Sequence, residues 1–278
     1  AVGAAVPVRH AHVLGGEDAL LLMPAWNARV IGTKLVTVMP GNAARGVGTV
    51  QAAYLVMDRA TGEPLALMDG EALTLRRTAA TSALAARYLA RPSASRLLIV
   101  GTGRLSTWMA RAHTALRPGI DRVIVWGRRP EATEAVVREL RLLGDLAGAR
   151  VEAAQDLSQA VSMADIVCCA TTSAEPVVRG EWLRPGQHLD LVGAFKPTMR
   201  EVDDAAVASA RIVVDTYGGA MKEAGDLVQA LAAGAITEHD VAADLAQLVQ
   251  GSRVGRSHDA QITLFKSCLL YTSPSPRD

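Results

Sequence analysis

Residues 97–129 constrain the fold more than any other stretch. Leu97-Leu98-Ile99-Val100 is a short apolar run that breaks at Gly101-Thr102-Gly103-Arg104-Leu105-Ser106. Beyond the break, Trp108, Met109, Ala112, Ala115 and Leu116 recur at helical spacing, and a second apolar run at 123–126 follows Asp121-Arg122. Strand, glycine turn, helix and strand in this order open a dinucleotide-binding βαβ unit. Two glycines let the backbone turn tightly and approach a pyrophosphate, while the helix N-terminus offers unpaired N–H groups and a positive dipole end. Ser106 stands where a third glycine is usual and is small enough for close helix packing. The glycines alone are a weak signal, compatible with a plain αβ turn; the strand before them and the helix after them supply the confirming context.

The end of the second strand bears on which dinucleotide binds. An NAD site usually places Asp or Glu there to accept hydrogen bonds from the adenosine ribose. This chain has Trp126-Gly127-Arg128-Arg129-Pro130. Gly127 removes the carboxylate that would repel a 2′-phosphate, and Arg128 and Arg129 offer planar forks that pair with one. NADPH is therefore the expected cofactor, with NADH as the alternative; the plainer reading is two solvated arginines at a loop start.

Strand and helix patterns alternate from 93 to about 250: a helix over 131–143, a strand over 150–153, a helix over 156–163, and strands over 166–170, 188–192 and 212–215. Such alternation implies a Rossmann-type α/β fold, a doubly wound parallel sheet covered by helices. Ligands of such sheets bind beyond the strand carboxyl ends, which picks out 101–106, Thr171-Thr172-Ser173 and Val192-Gly193-Ala194-Phe195. Residues 1–92 have a different texture, with strands over 19–23, 30–38, 49–57 and 65–69 separated by turn residues, then an Ala- and Leu-rich helix over 74–89 closed by Arg91-Pro92. This is an N-terminal α+β domain, mostly antiparallel, expected to carry the substrate groups. The segment 255–267 is expected to return to it, leaving 93–254 as the dinucleotide domain. The last residues, 268–278, have no period and two prolines, and read as a foreign tail.

At 278 residues the chain has length for about two domains, and its 50% hydrophobic content is ample for a core in each. Lys plus Arg (29) nearly cancels Asp plus Glu (28), so no broad field recruits nucleic acid or an anionic membrane. No apolar run reaches the roughly 18 residues of a membrane span, and residues 1–8 lack the pattern of a secretory signal. Three cysteines give neither a disulfide framework nor metal spacing; Cys168 and Cys169 sit inside an apolar strand, as expected of a cytoplasmic protein. The six histidines are scattered, and no metal is expected.

Several phrases, taken together, resemble the ornithine cyclodeaminase/mu-crystallin family from Val6 to Ser267. They are Val6-Pro7-Val8-Arg9, Leu22-Met23-Pro24-Ala25-Trp26, Gly32-Thr33-Lys34-Leu35-Val36, Pro40-Gly41-Asn42, Thr61-Gly62-Glu63-Pro64, Leu75-Arg76-Arg77-Thr78-Ala79-Ala80, Gly101-Thr102-Gly103, and Val192-Gly193-Ala194-Phe195-Lys196-Pro197 with Arg200-Glu201-Val202-Asp203. Each is weak alone; their order and spacing are specific. The resemblance implies a homodimer using the N-terminal sheet, and a small cyclic imino-acid or amino-acid substrate. Family members begin with a helical segment before the position of Val6 and continue as a helix past that of Ser267, so the chain reads as a fragment at both ends.

On this resemblance the carboxylate-binding groups fall on Arg9, Lys34 and Arg77, cations in apolar settings that suit a desolvated carboxylate. Lys34 is also the nominated proton donor, since burial beside arginines lowers an ammonium pKa towards neutrality. The cofactor set is Thr78, Gly101, Thr102, Gly103, Arg104, Leu105, Arg128, Arg129, Thr171 and Thr172. Cyclodeaminases carry aspartate where Phe195 stands, and Phe cannot transfer a proton. That disfavours ornithine cyclodeamination and favours NADPH-dependent reduction of Δ1-pyrroline-2-carboxylate or Δ1-piperideine-2-carboxylate, with Phe195 in the substrate wall. The competing readings are a mu-crystallin-like NADPH-binding protein without turnover and an alanine dehydrogenase of the same family.

Overall fold

The computed structural model describes residues 4, 5, 7, 10–146 and 148–267, with the side chain of Ala43 outside the description. Arg9 and the tail 268–278 therefore lie outside the described residues. The described chain divides into two compact units within one helix, between Arg77 and Thr78, rather than at the 92/93 boundary read from the sequence.

The first unit is a five-stranded antiparallel sheet, β1 (His10–Gly15), β2 (Asp18–Trp26), β3 (Val30–Val38), β4 (Val50–Asp58) and β5 (Pro64–Asp69), paired in chain order. The hairpin expected from the turn around Thr61-Gly62 joins β4 to β5. The helix α1 (Gly70–Leu89) begins a turn earlier than its apolar pattern indicates, because Asp69 Oδ1 accepts the N–H groups of Glu71 and Ala72 and caps the start. β1 was not legible: its residues are all exposed, so no alternation marks it.

The second unit is an eight-stranded, fully parallel sheet in the order β12-β11-β13-β10-β9-β6-β7-β8. Its strands are β6 (Arg96–Val100), β7 (Arg122–Trp126), β8 (Arg150–Ala153), β9 (Ile166–Cys169), β10 (His188–Leu191), β11 (Arg211–Val214), β12 (Val241–Asp244) and β13 (Thr263–Lys266). The helices are α2 (Arg104–Leu116), α3 (Pro130–Leu143), α4 (Leu157–Met163), α5 (Asp204–Ala208), α6 (Tyr217–Glu223), α7 (Gly225–Ala232) and α8 (Leu245–Val249). Successive strand residues face opposite sides, and both sides are covered. Leu97, Ile99, Val123 and Val125 pack with Met109, Val136, Val137 and Leu140 of α2 and α3, while Leu98, Val100, Val167 and Leu189 pack with Val161, Val207 and Leu227 on the other face. This explains the unbroken apolar runs at 97–100 and 166–169.

One expectation is overturned. The segment 255–267 does not return to the first unit: Thr263–Lys266 is β13, bonded in parallel to β10 on one side and β11 on the other. Phe265 is wholly buried there with Val213, Ala243 and Leu89. A four-residue strand is too short for its period to reveal its sheet, and the run Thr-Leu-Phe-Lys, buried on both faces, carries no alternation.

Among the described residues no helix is long and apolar enough to cross a membrane. The cysteines Cys168 and Cys169 are free thiols in β9, fully buried on opposite faces. The fold brings His113, Cys168 and Asp190 together, their ligand atoms within 4.8 Å of one another. His113 Nε2 and Asp190 Oδ2 are hydrogen-bonded at 3.0 Å in this interior.

Candidate active site

The turn after β6 is built as its first glycine requires, while Gly103 has φ −80° and open space where a Cβ would stand. Gly101 has φ +125°, and a Cβ there would stand 2.6 Å from Ala170 O, so no L side chain fits. Its N–H donates to Trp126 O, and its carbonyl accepts the hydroxyl of Ser106 at 2.9 Å. Ser106 thus does more than fill the place of a third glycine: it pins the turn to the first turn of α2. Gly103 is the N-cap of α2; no side chain caps the helix and no acidic residue lies in its first turn. The first N–H groups of a helix have no intrahelical partner, so this end is open to an anion.

Gly101, Thr102 and Gly103 line a cavity of about 460 Å³ together with Trp126, Gly127, Arg128, Arg129, Ala170, Thr171, Thr172, Ser173 and Val177. It lies at the carboxyl ends of β6, β7 and β9, and among the described residues its lining contains no carboxylate. Gly127 is tight against the turn, where a Cβ would meet Thr102 Cγ2 at 2.5 Å. Arg128 and Arg129 are exposed, and Arg129 is the N-cap of α3. The volume is within the range of small-molecule pockets, roughly 300–1,000 Å³. A glycine cradle that a Cβ would fill, an uncapped helix end and two arginines together fit the phosphates of a dinucleotide.

Seven of the ten residues expected at the cofactor thus share one cavity. The other three do not line it. Leu105 packs its side chain into the core, Arg104 is exposed, and Thr78 is 2% exposed on α1 with its Oγ1 unpartnered. Trp126, Ala170 and Val177 are not in the expected set, because apolar residues at or beyond a strand end carry no chemical signature, whereas Ser173 lies in the stretch picked out beyond β9.

In the first unit, Lys34 of β3 reaches α1. Its Nζ donates to Thr74 Oγ1 at 2.7 Å. Burial, and then the nearby charge of Arg77, lower its pKa to about 8. The structure thus brings Lys34 and Arg77 into electrostatic reach of each other, with Arg77 half-buried and its neighbour Arg76 exposed. Thr74 was not anticipated; it lies one helical turn before Arg77 on the same helix. Phe195, half-buried in the loop after β10, has the Lys196 ammonium 6.0 Å from its ring centroid and is not part of the cavity lining.

The family model described as ornithine cyclodeaminase/mu-crystallin family matches residues 5–271. The chain belongs to that family. It is 45% identical over 236 residues to a Δ1-pyrroline-2-carboxylate reductase of Paracoccus denitrificans, an alignment covering 85% of this chain and 73% of the relative. Among solved structures, the Thermococcus litoralis Δ1-pyrroline-2-carboxylate reductase in complex with NADH and L-proline superposes with TM-score 0.86 and 33% identity, covering 95% of this chain and 81% of the other. An archaeal alanine dehydrogenase dimer with bound NAD gives TM-score 0.84 and 31% identity, covering 95% and 80%.

Proposed function

We propose that this family member is an NAD(P)H-dependent oxidoreductase acting on CH–NH bonds, which reduces Δ1-pyrroline-2-carboxylate to L-proline and Δ1-piperideine-2-carboxylate to L-pipecolate, with NADPH preferred over NADH. The observation that carries the cofactor part is that the glycine turn, Arg128 and Arg129 line one cavity with no carboxylate among its described residues. The substrate part is supported by the relatives' named activity and by Phe195 in place of a proton-transferring side chain.

Bound reduced nicotinamide supplies the hydride. Lys34 and Arg77, with Arg9, hold the substrate carboxylate, which offsets their mutual repulsion. Reduction of C=N needs one proton at nitrogen for each hydride at carbon. Lys34, with a pKa near 8, is the group able to give that proton at neutral pH and regain it from water. One methylene in an apolar pocket is worth about 1–3 kcal/mol, so five- and six-membered rings are both expected to turn over.

The assembly proposed is a homodimer through the N-terminal sheet, whose edge strands expose Val13 (78%) and Leu67 (73%). A cytoplasmic setting accords with the two free thiols of β9. A second reading, alanine dehydrogenase, is favoured by the likeness to the archaeal enzyme. The deciding experiment is a panel of pyrroline-2-carboxylate, piperideine-2-carboxylate and pyruvate with ammonia, each against NADPH and NADH. NADPH oxidation with the cyclic imines supports the proposal. Turnover with pyruvate and ammonia alone reassigns the substrate, and dinucleotide binding without any turnover makes the chain a mu-crystallin-like binder.

A further inference from the structure

One fully buried carboxylate has no role in the chemistry described so far. Glu201, in the loop between β10 and α5, is 0% exposed. Its Oε1 accepts the N–H of Thr171 at 2.7 Å and the Thr171 hydroxyl at 2.9 Å. Its Oε2 accepts the N–H of Gly193 at 2.7 Å and that of Ala194 at 3.3 Å. Thr171 belongs to the loop after β9 and lines the cavity; Gly193 and Ala194 belong to the loop after β10 that leads into Phe195. Gly193 makes this approach possible, because a Cβ there would collide with Thr171 O and Glu201 Oε1.

The carboxylate is itself anchored. The N–H of Glu201 donates to Asp226 Oδ1 at 2.7 Å, and that of Val202 joins it at 3.1 Å. Asp226 Oδ2 lies 2.9 Å from Lys266 Nζ at the end of β13, with both side chains fully buried. Glu201 therefore connects loops of β9 and β10 to a fixed ion pair between α7 and β13. Four donors on two oxygens call for an acceptor-only group. A protonated acid or an amide would set a hydrogen against an N–H.

We propose that Glu201 is a positioning residue for the dinucleotide: its carboxylate locks the loops after β9 and β10 together, so that Thr171, Thr172 and Ser173 are held in place beside the glycine turn. This rests on reading that cavity as the cofactor site. An ordered wall binds more tightly because less loop entropy is lost on association. A residue that only supports folding would leave the affinity of the folded protein unchanged.

The test uses the full chain carrying Glu201→Gln or Thr171→Val, with hydrogen exchange read without ligand and Kd for NADPH and NADH read by fluorescence. Glu201→Gln is expected to speed exchange in 170–173 and 193–195 together, leave β6 and β7 protected, and raise both Kd values about tenfold, the scale of one charge-assisted hydrogen bond. Thr171→Val, which removes one donor at constant volume, is expected to raise Kd about threefold and to cost stability, so that the chain still folds with a lowered Tm. A cooperatively folded Glu201→Gln with wild-type affinity, or with both loops still protected, overturns the proposal. If that variant does not fold, Thr171→Val decides through exchange in 193–195, a loop that does not line the cavity, and unchanged exchange there overturns the proposal. A wild-type chain that binds neither dinucleotide overturns the cofactor reading instead; loosened loops with unchanged affinity remove only the role of Glu201.

Discussion

Lys34 Nζ and Thr74 Oγ1 lie 2.7 Å apart, tying β3 to the first turns of α1. The Thr74 hydroxyl gives its own proton to Gly70 O at 2.6 Å, so it meets Lys34 as an acceptor. Lys34 is thereby fixed as a donor beside Arg77 with its pKa lowered to about 8. If its ammonium donates to the imine, kcat/KM for pyrroline-2-carboxylate falls on the basic side with an apparent pKa near 8. Lys34→Met is expected to lower kcat about 100-fold or more, the scale of a lost general acid, to abolish that basic limb, and to leave NADPH affinity nearly unchanged. Equal losses of rate and cofactor affinity would make Lys34 structural.

The same group predicts how stability varies with pH. A lysine in an unfolded chain titrates near 10.4, against about 8 for folded Lys34. Between the two, the unfolded chain binds more protons, so this group's contribution to stability rises with pH across the window. The cost of holding Lys34 charged is fully present below about 8 and gone above about 10.4. Lys34→Met should therefore gain in Tm relative to wild type at pH ~7, with the gain shrinking towards pH ~10.5, measured by scanning calorimetry. A constant difference across that range would place the perturbation elsewhere.

Arg128 and Arg129 line the cavity that contains the glycine turn. An arginine paired with a phosphate contributes about 1.5–3 kcal/mol. Arg128→Ala with Arg129→Ala should reduce kcat/KM for NADPH about 100-fold and change that for NADH less than about threefold. Parallel losses for the two cofactors would show that the arginines do not read the 2′-phosphate.

What was readable in advance follows from local chemistry. The turn 101–106 was legible because its geometry demands glycine, and the strands 97–100 and 166–169 because both their faces are buried. Lys34 and Arg77 were named from the family resemblance, and the structure brings them within electrostatic reach. Glu201 was quoted within a motif but given no role, since its partners Thr171 and Gly193 come from two other strand ends, thirty and eight residues away. The place of Thr263–Lys266 was misread for the same reason: which strands it pairs with is decided by the whole sheet, not by its four residues.

Gly101 offers a sharper test of the turn. Its φ of +125° and the 2.6 Å gap to Ala170 O mean that Gly101→Ala must shift β6 or β9. The expected cost is about 1–3 kcal/mol of stability. Affinity for NADPH should fall at least about tenfold, since a shift of the turn spoils the approach to the pyrophosphate. Chemical denaturation and fluorescence titration measure the two; a variant with full affinity would exclude this turn from the cofactor site.

Lys266 and Asp226 form a pair buried on both sides, 2.9 Å apart. Removing two charges from water is costly, so the pair itself is weak evidence for stability, but breaking it leaves one buried charge alone. Lys266→Met strands Asp226 while its Oδ1 still accepts the N–H groups of Glu201 and Val202. A loss of about 3–5 kcal/mol is expected from urea denaturation. Asp226→Leu combined with Lys266→Met removes both charges but orphans those two N–H groups, so it should recover only part of the loss; each unmade bond costs about 1–3 kcal/mol. Full recovery by the double variant would mean that Asp226 does not anchor Glu201 through its backbone, and the chain of contacts from β13 to the loops after β9 and β10 would lose its middle link.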